Sequence, residues 1–337
     1  MHPMNHRRLI VTLCAVLCAA SQAGAQQSTV YVAVVATKLF VVGAANPQTG
    51  IFFQRPGEDT TWQHTGPKTI RAFGVAVPAG ARGRVVYIAG GNGVHRTGDG
   101  GAHWKITTDW PVTEVLGVTC DPRDTNTVYC ATPYGVYKTT DGCASWQEKN
   151  RGLIALFTSC IMVDNATPGR VYAATEDGLY VSTDGAEHWT RSSLSVPQTR
   201  VIVQHPKDPA VLMAGTENNG IYVSRDGGKV WTRSEAGVDH LTFYAIAFDP
   251  GDPEVVYAGG YITGVYKSAD GGRSWRRVNA GLENLNVHAI AVDPVNSRRV
   301  YAATLWGGIY RTDDGGASWR SAGLAGAQIW NIIIHPF

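Results

Sequence analysis

Six copies of one eight-residue box punctuate this chain, and nothing else in it constrains the fold as tightly. They end at Trp104, Trp146, Trp189, Trp231, Trp275 and Trp319. Each reads Ser or Thr, any residue, Asp, Gly, a fifth residue that is usually Gly, two variable residues and Trp. A seventh, worn copy ends at Trp62 and has lost its Asp. The Trp-to-Trp spacings are 42, 42, 43, 42, 44 and 44 residues. In a chain of short apolar runs and turn residues, this period predicts repeated four-stranded blades that bury their faces only against one another.

One repeat shows the unit. His288-Ala-Ile-Ala-Val-Asp-Pro294 reads as a first strand ending in a turn, Arg299 to Thr304 as a second, and Gly308 to Arg311 as a third. The box then turns the chain into a fourth strand at Trp319. Four- to six-residue runs bounded by Asp-Pro and Gly-Gly favour strands over helices. Near-continuous apolar character in the first two strands predicts burial on both faces.

The box carboxylates Asp99, Asp141, Asp184, Asp226, Asp270 and Asp314 are expected to accept N–H groups of their own turns. Gly follows each of them, which predicts a backbone that a side chain opposes. The next position holds Cys143 and Ala186 in two copies and reads as less constrained. One carboxylate per box is too few for calcium, which takes six to eight oxygens, so no metal is expected and no cofactor either. The last residues, Trp330-Asn-Ile-Ile-Ile-His-Pro336, repeat a first strand with no blade after it. Their partners are expected between Val30 and Trp62, which would close a ring of seven blades and remove exposed sheet edges.

Residues 1–25 read as a secretory signal peptide: a positive start at His6-Arg7-Arg8, an apolar run, and Ala23-Gly24-Ala25 as a cleavage site. The expected mature chain is therefore a single propeller over 26–337, secreted or periplasmic, monomeric and without a membrane span. A net charge of +2 and the absence of a basic cluster argue against nucleic acid. Four cysteines remain beyond the leader, and Cys120 and Cys130 flank one hairpin, where a disulfide is possible in an oxidising compartment.

The six boxes resemble the Asp-box (BNR) repeats of sialidases, sortilin-type receptors, two-propeller xyloglucanases and photosystem II assembly-factor propellers. The resemblance covers nearly the whole mature chain and implies an all-β, seven-bladed propeller of four-stranded antiparallel blades. It implies no single activity, because these families differ in function. The sialidase pattern is not met: Phe53-Gln-Arg-Pro56 departs from the Phe-Arg-Ile-Pro segment. Size, leader and blade count resemble the assembly factors most.

In related propellers the boxes lie on the face opposite the functional one, which directs attention to the connections from strand four to one and two to three. Aligning the first strands on their terminal turns gives the column Ala72, Leu116, Ser159, Arg200, Tyr244, His288 and Trp330. The last four are large, polar or aromatic and come from consecutive blades. Glu217, Tyr261 and Trp306 stand in the two-to-three connections of the blades starting at Arg200, Tyr244 and His288. Together these residues read as a ligand site at the tunnel mouth, or as a polar and aromatic plug. The expected role is binding or assembly with a protein partner or glycan. The rival is a sialidase-like or xyloglucanase-like glycoside hydrolase, which needs two opposed carboxylates. Candidates on this face are Glu114, Glu176, Asp177, Glu217, Asp239 and Glu283, scattered over different blades.

Overall fold

The computed structural model describes residues 27–37, 49–78 and 80–336, so the expected leader lies outside the described residues. Among them are seven four-stranded antiparallel sheets and no helix. The first strand of each sheet touches the first strands of the sheets on either side, so the seven blades form a closed ring. Blade 1 has Ala327–Pro336 innermost, followed by Ser28–Thr37, Gly50–Gln54 and Gln63–Thr65. Antiparallel pairing from Ser28 opposite Pro336 to Thr37 opposite Ala327 joins the two ends of the chain, as the sequence leads one to expect. Blades 2 to 7 follow in chain order, with innermost strands Ala72–Ala76, Gly117–Cys120, Thr158–Val163, Thr199–Gln204, Ala245–Phe248 and Val287–Asp293.

Burial peaks at the second strand and falls again toward the fourth. The innermost strands, expected to be buried on both faces, turn one face to the tunnel and are half-buried in part. Second strands such as Val86–Gly90, Val171–Thr175 and Val256–Gly260 are buried along their whole length, because a blade covers each face. Fourth strands are two to four residues long and mostly exposed, and their brevity blunts the outer edge.

The box is a turn built on one hydroxyl and one carboxylate. In the copy ending at Trp146, the Thr139 hydroxyl donates to Asp141 at 2.7 Å and accepts the Cys143 N–H at 3.1 Å. Asp141 also accepts the Ser145 N–H at 3.0 Å and the Ser145 hydroxyl at 2.6 Å. Hydrogen bonds from Ser145 and Thr139 hold this carboxyl well below its ordinary range. The hydroxyl-to-carboxylate bond recurs in the other five copies. Both residues after the Asp are left-handed: Gly142 has φ 68°, Cys143 72° and Ala186 71°. The fifth position is thus as demanding as the fourth, and Cys143 and Ala186 adopt a conformation that L side chains disfavour.

Neighbouring blades are tied through these turns. Lys138 donates to the Gly185 carbonyl and Lys267 to that of Gly315, each at 2.8 Å and each reaching the next blade's box. The indoles of Trp189 and Trp319 donate backward, to the carbonyls of Lys149 and Val278. In the worn copy, which lacks the Asp, Glu58 reaches back to accept the Arg55 N–H at 2.9 Å. Asp59 then reaches across the closing seam to Arg311 and Arg320 of blade 7. The Trp62 indole donates to the Ala322 carbonyl at 2.7 Å, so the worn box still seals a blade junction.

The proposed Cys120–Cys130 bridge is not made. Cys120 stands opposite Val128 and Cys130 opposite Val118, two rungs apart in the ladder, and both are free thiols. Residues flanking a hairpin symmetrically in sequence are bridgeable only when the register also opposes them.

Candidate functional site at the tunnel mouth

Antiparallel order sends the box turns to one end of the ring and the four-to-one and two-to-three connections to the other. At this second end the innermost strands break register. In blade 2, Ala72 pairs with Gly90 and Gly74 with Ala89, leaving Phe73 unpaired. The same one-residue bulge isolates Ser159, Arg200, His288 and Trp330. A bulge bends the strand and re-aims the extra side chain. Leu116 and Tyr244 hold the corresponding positions in blades 3 and 6, each donating its N–H to its blade's second strand just before the ladder begins. All seven residues line the central tunnel, a cavity of about 990 Å³. It runs from this end down the innermost strands to Pro122, Asn165 and His335 at the other, and the seven stand at its mouth.

The column read from sequence is therefore right at six positions and off by one at the seventh. Phe73, not Ala72, faces the mouth, while Ala72 is fully buried between blades. The inner strand of blade 2 has one residue fewer between bulge and turn, so aligning on Val77-Pro78 shifts the register.

Around half the ring these side chains form a continuous arc. The Tyr244 and His288 rings are 4.7 Å apart, His288 and Trp330 5.5 Å, and Trp330 meets Phe73 edge-on at 5.6 Å. The Arg71 guanidinium lies 5.2 Å over Phe73. At the far end Arg200 places Nε at 2.8 Å and Nη2 at 2.5 Å from one oxygen of Glu217, and its guanidinium lies 5.8 Å over Phe157. Burial pushes the His288 imidazole down to about 4, so the arc carries a neutral ring at neutral pH. Burial, and then the charge of Glu217, raises the Tyr244 hydroxyl above its ordinary value. The remaining quarter of the mouth is plain: the Ser159 hydroxyl sits 3.2–3.3 Å from the carbonyls of Ala174, Thr199 and Arg200 and is spent on the backbone.

Five of the seven site residues expected from sequence, Arg200, Glu217, Tyr244, His288 and Trp330, line the cavity together. Tyr261 and Trp306 do not. Both are exposed on two-to-three connections, Trp306 with φ 66°, and Tyr261 is near enough to Tyr244 to influence its ionisation. Phe73 and Phe157 are the lining aromatics that sequence reasoning missed; Phe157, one residue before the inner strand of blade 4, carried no repeat signal. Of the candidate carboxylates Glu217 alone is in the lining. Asp177 is tied to Tyr180 and Thr175, and Asp239 to Tyr266 and Arg277.

Comparison with known proteins places this architecture among familiar ones. The family profile described as Sortilin, neurotensin receptor 3 (Sortilin-Vps10) matches residues 136–258, about a third of the chain. No curated protein matches the chain. Among solved structures, an ancestral GH74 enzyme superposes with a TM-score of 0.61 at 22% identity, over 78% of this chain and 38% of that one. The extracellular domain of a putative one-component system from B. thetaiotaomicron gives 0.63 at 15% identity, over 84% of this chain and 38% of the other. YCF48 bound to D1 peptide gives 0.57 at 16% identity, over 77% and 84% respectively. This chain thus spans well under half the length of the first two and most of the third. At these identities the likeness is one of fold, and the chain is a seven-bladed β-propeller of the kind these proteins contain.

Proposed function

We propose that this protein is an exported recognition module that binds a protein partner or glycan at the tunnel mouth and performs no chemistry on it. The observation that carries this reading is the bulge column. It aims seven side chains into one cavity; four of them form an arc of flat faces, beside a cation, Arg200, paired with the carboxylate of Glu217. Flat rings stack on sugars and on peptide groups, and a few fixed polar atoms orient what is stacked. One solved relative of similar size holds a peptide, which supports a polypeptide ligand.

A glycoside hydrolase needs a second carboxylate facing the first across roughly 5–10 Å. Here the lining offers Glu217, which Arg200 engages, and the other candidates stand on loops outside it. That arrangement favours binding over hydrolysis. The deciding experiment is a screen of the mature chain on glycan and peptide arrays, with hydrolysis assays on every glycan that binds. Saturable binding that Tyr244→Ala abolishes, without turnover, supports the proposal. Release of reducing ends, lost in Glu217→Gln, overturns it.

A further inference from the structure

The outer rim of the same face carries a second surface, centred on blade 3, that departs from the repeat plan. The loops leaving blades 3, 5 and 6 follow one pattern. Gly152, Gly237 and Gly281 lie so close to the carbonyls of Trp189, Trp275 and Trp319 that a Cβ would collide. Leu153, Val238 and Leu282 come next and anchor each loop in the core. The residue after the anchor is exposed, and in two loops it is acidic, Asp239 and Glu283. In the blade 3 loop it is Ile154, 79% exposed.

Two neighbours depart in the same direction. In the two-to-three turns, Tyr134 stands where blades 2 and 4 have Asn92 and Asp177, and it is 50% exposed. Blades 6 and 7 also expose an aromatic there, Tyr261 and Trp306, but neither has a large apolar residue in the place of Ile154 on the adjoining loop. Trp110, on the loop entering blade 3, is 87% exposed. These tips are held in place. Asn150 donates to the Tyr134 carbonyl at 3.0 Å and accepts the Val136 N–H at 2.8 Å, and the Leu153 N–H closes on the Asn150 carbonyl. The three outward side chains make none of these bonds and leave at least half of their surface in solvent.

Charge adds a second observation. Asp109, Glu114 and Glu176 are exposed on the loops around these tips, and no side-chain partner engages any of them among the described residues. The Glu176 N–H bonds the Phe157 carbonyl, which sets it against the Ile154 loop. Arg151 is the exposed cation on that loop. Elsewhere on the face Glu217, Asp239 and Glu235 are engaged by Arg200, Arg277 and Arg233, and Glu283 stands without a side-chain partner among the described residues, so unpartnered carboxylates gather around blade 3. Exposed Trp, Tyr and Ile beside unpartnered carboxylates suit a partner with apolar anchors and positive charge.

We infer that the blade 2–4 rim docks a polypeptide segment in which cationic and apolar side chains alternate, independently of whatever enters the tunnel mouth. The probes are fluorescein-labelled Lys/Leu, Glu/Leu and Lys/Ser repeat peptides and phosphatidylcholine vesicles, titrated against the mature chain by anisotropy or co-sedimentation. The Lys/Leu peptide is expected to bind saturably and at least about tenfold more tightly than either control, with affinity falling as salt rises. Trp110→Ser with Ile154→Ser is expected to weaken it about tenfold or more. Glu114→Gln with Glu176→Gln is expected to weaken it a few-fold and flatten the salt dependence. Trp330→Ala is expected to leave it unchanged, which separates this surface from the mouth. Equal binding of the Glu/Leu peptide, preferential binding to vesicles, or indifference to both double variants overturns the proposal.

Discussion

Two arcs of one face use the same scaffold in opposite ways. From blade 5 round to blade 2, the informative residues are Arg200, Tyr244, His288, Trp330 and Phe73 at the rim of the tunnel; the four rings meet one after another, and the cation beside them is paired with Glu217. From blade 2 to blade 4 the bulge positions hold Leu116 and Ser159, ordinary in size and spent on packing or backbone. There the departures are at loop tips alone, where Trp110, Tyr134 and Ile154 meet solvent beside free carboxylates, whereas blades 6 and 7 expose Tyr261 and Trp306 in addition to their inner arc. A propeller can vary its inner rim or its outer loops separately, because the box turns that hold the blades together are at the other end of the ring. Specialisation shows as a break in the repeat, and its radius tells whether a ligand is enclosed or docked.

That contrast can be broken in several ways, and the largest effects belong to the enclosed arc. Arg200→Ala removes the one side-chain partner that the part-buried Glu217 carboxylate has among the described residues, and one edge of the cavity. It should cost about 1–3 kcal/mol in urea denaturation and, with the charge gone, abolish mouth binding. The pH response comes next. His288 is depressed to about 4 in the folded chain, so in the window between its unfolded value near 6.5 and about 4 the unfolded state binds more protons. Its contribution is therefore complete above about pH 6.5 and is lost as pH falls through 4. Melting from pH 7 to pH 4 should show a loss on the order of 2–3 kcal/mol from this group, and His288→Phe should remove that part of the slope. The plain arc has no titrating group in its bulge column, so Ser159→Ala should leave the slope intact. Smallest of all, Ile154→Ser should change stability by less than about 0.5 kcal/mol, because an exposed tip contributes little to the fold. A drop of several kcal/mol would show that Ile154 is core and would dissolve the outer surface.

Much of this was readable in the chain. Box spacing gives the blade count, the unpaired first strand at Trp330 gives the closure, and the terminal turns, Asp-Pro after Tyr244 and His288 and His-Pro after Arg200 and Trp330, give the register that gathers these four. What failed did so for local reasons. Phe73 escaped because one strand is a residue shorter between bulge and turn, and a bulge leaves no mark in composition. Cys120 and Cys130 looked opposed because hairpin symmetry was inferred from the turn, whereas the ladder sets them two rungs apart. Tyr261 and Trp306 were assigned to the right loops, yet a loop's sequence does not fix the direction of its side chains, and both sit outside the cavity. The fifth box position looked permissive because Cys143 and Ala186 occupy it, although its backbone is left-handed in every copy.

The central claim is that the arc is a ligand site and not a plug that holds the tunnel together. Trp330 tests it directly, being 39% exposed, in contact with both His288 and Phe73, and free of any polar role. The measurement is the affinity of Trp330→Ala for the tightest array ligand, by calorimetry, beside its thermal midpoint. The account predicts an affinity loss of at least about tenfold with the midpoint within about 3 °C of the parent. A midpoint lower by about 8 °C or more, with affinity per folded molecule unchanged, would contradict it.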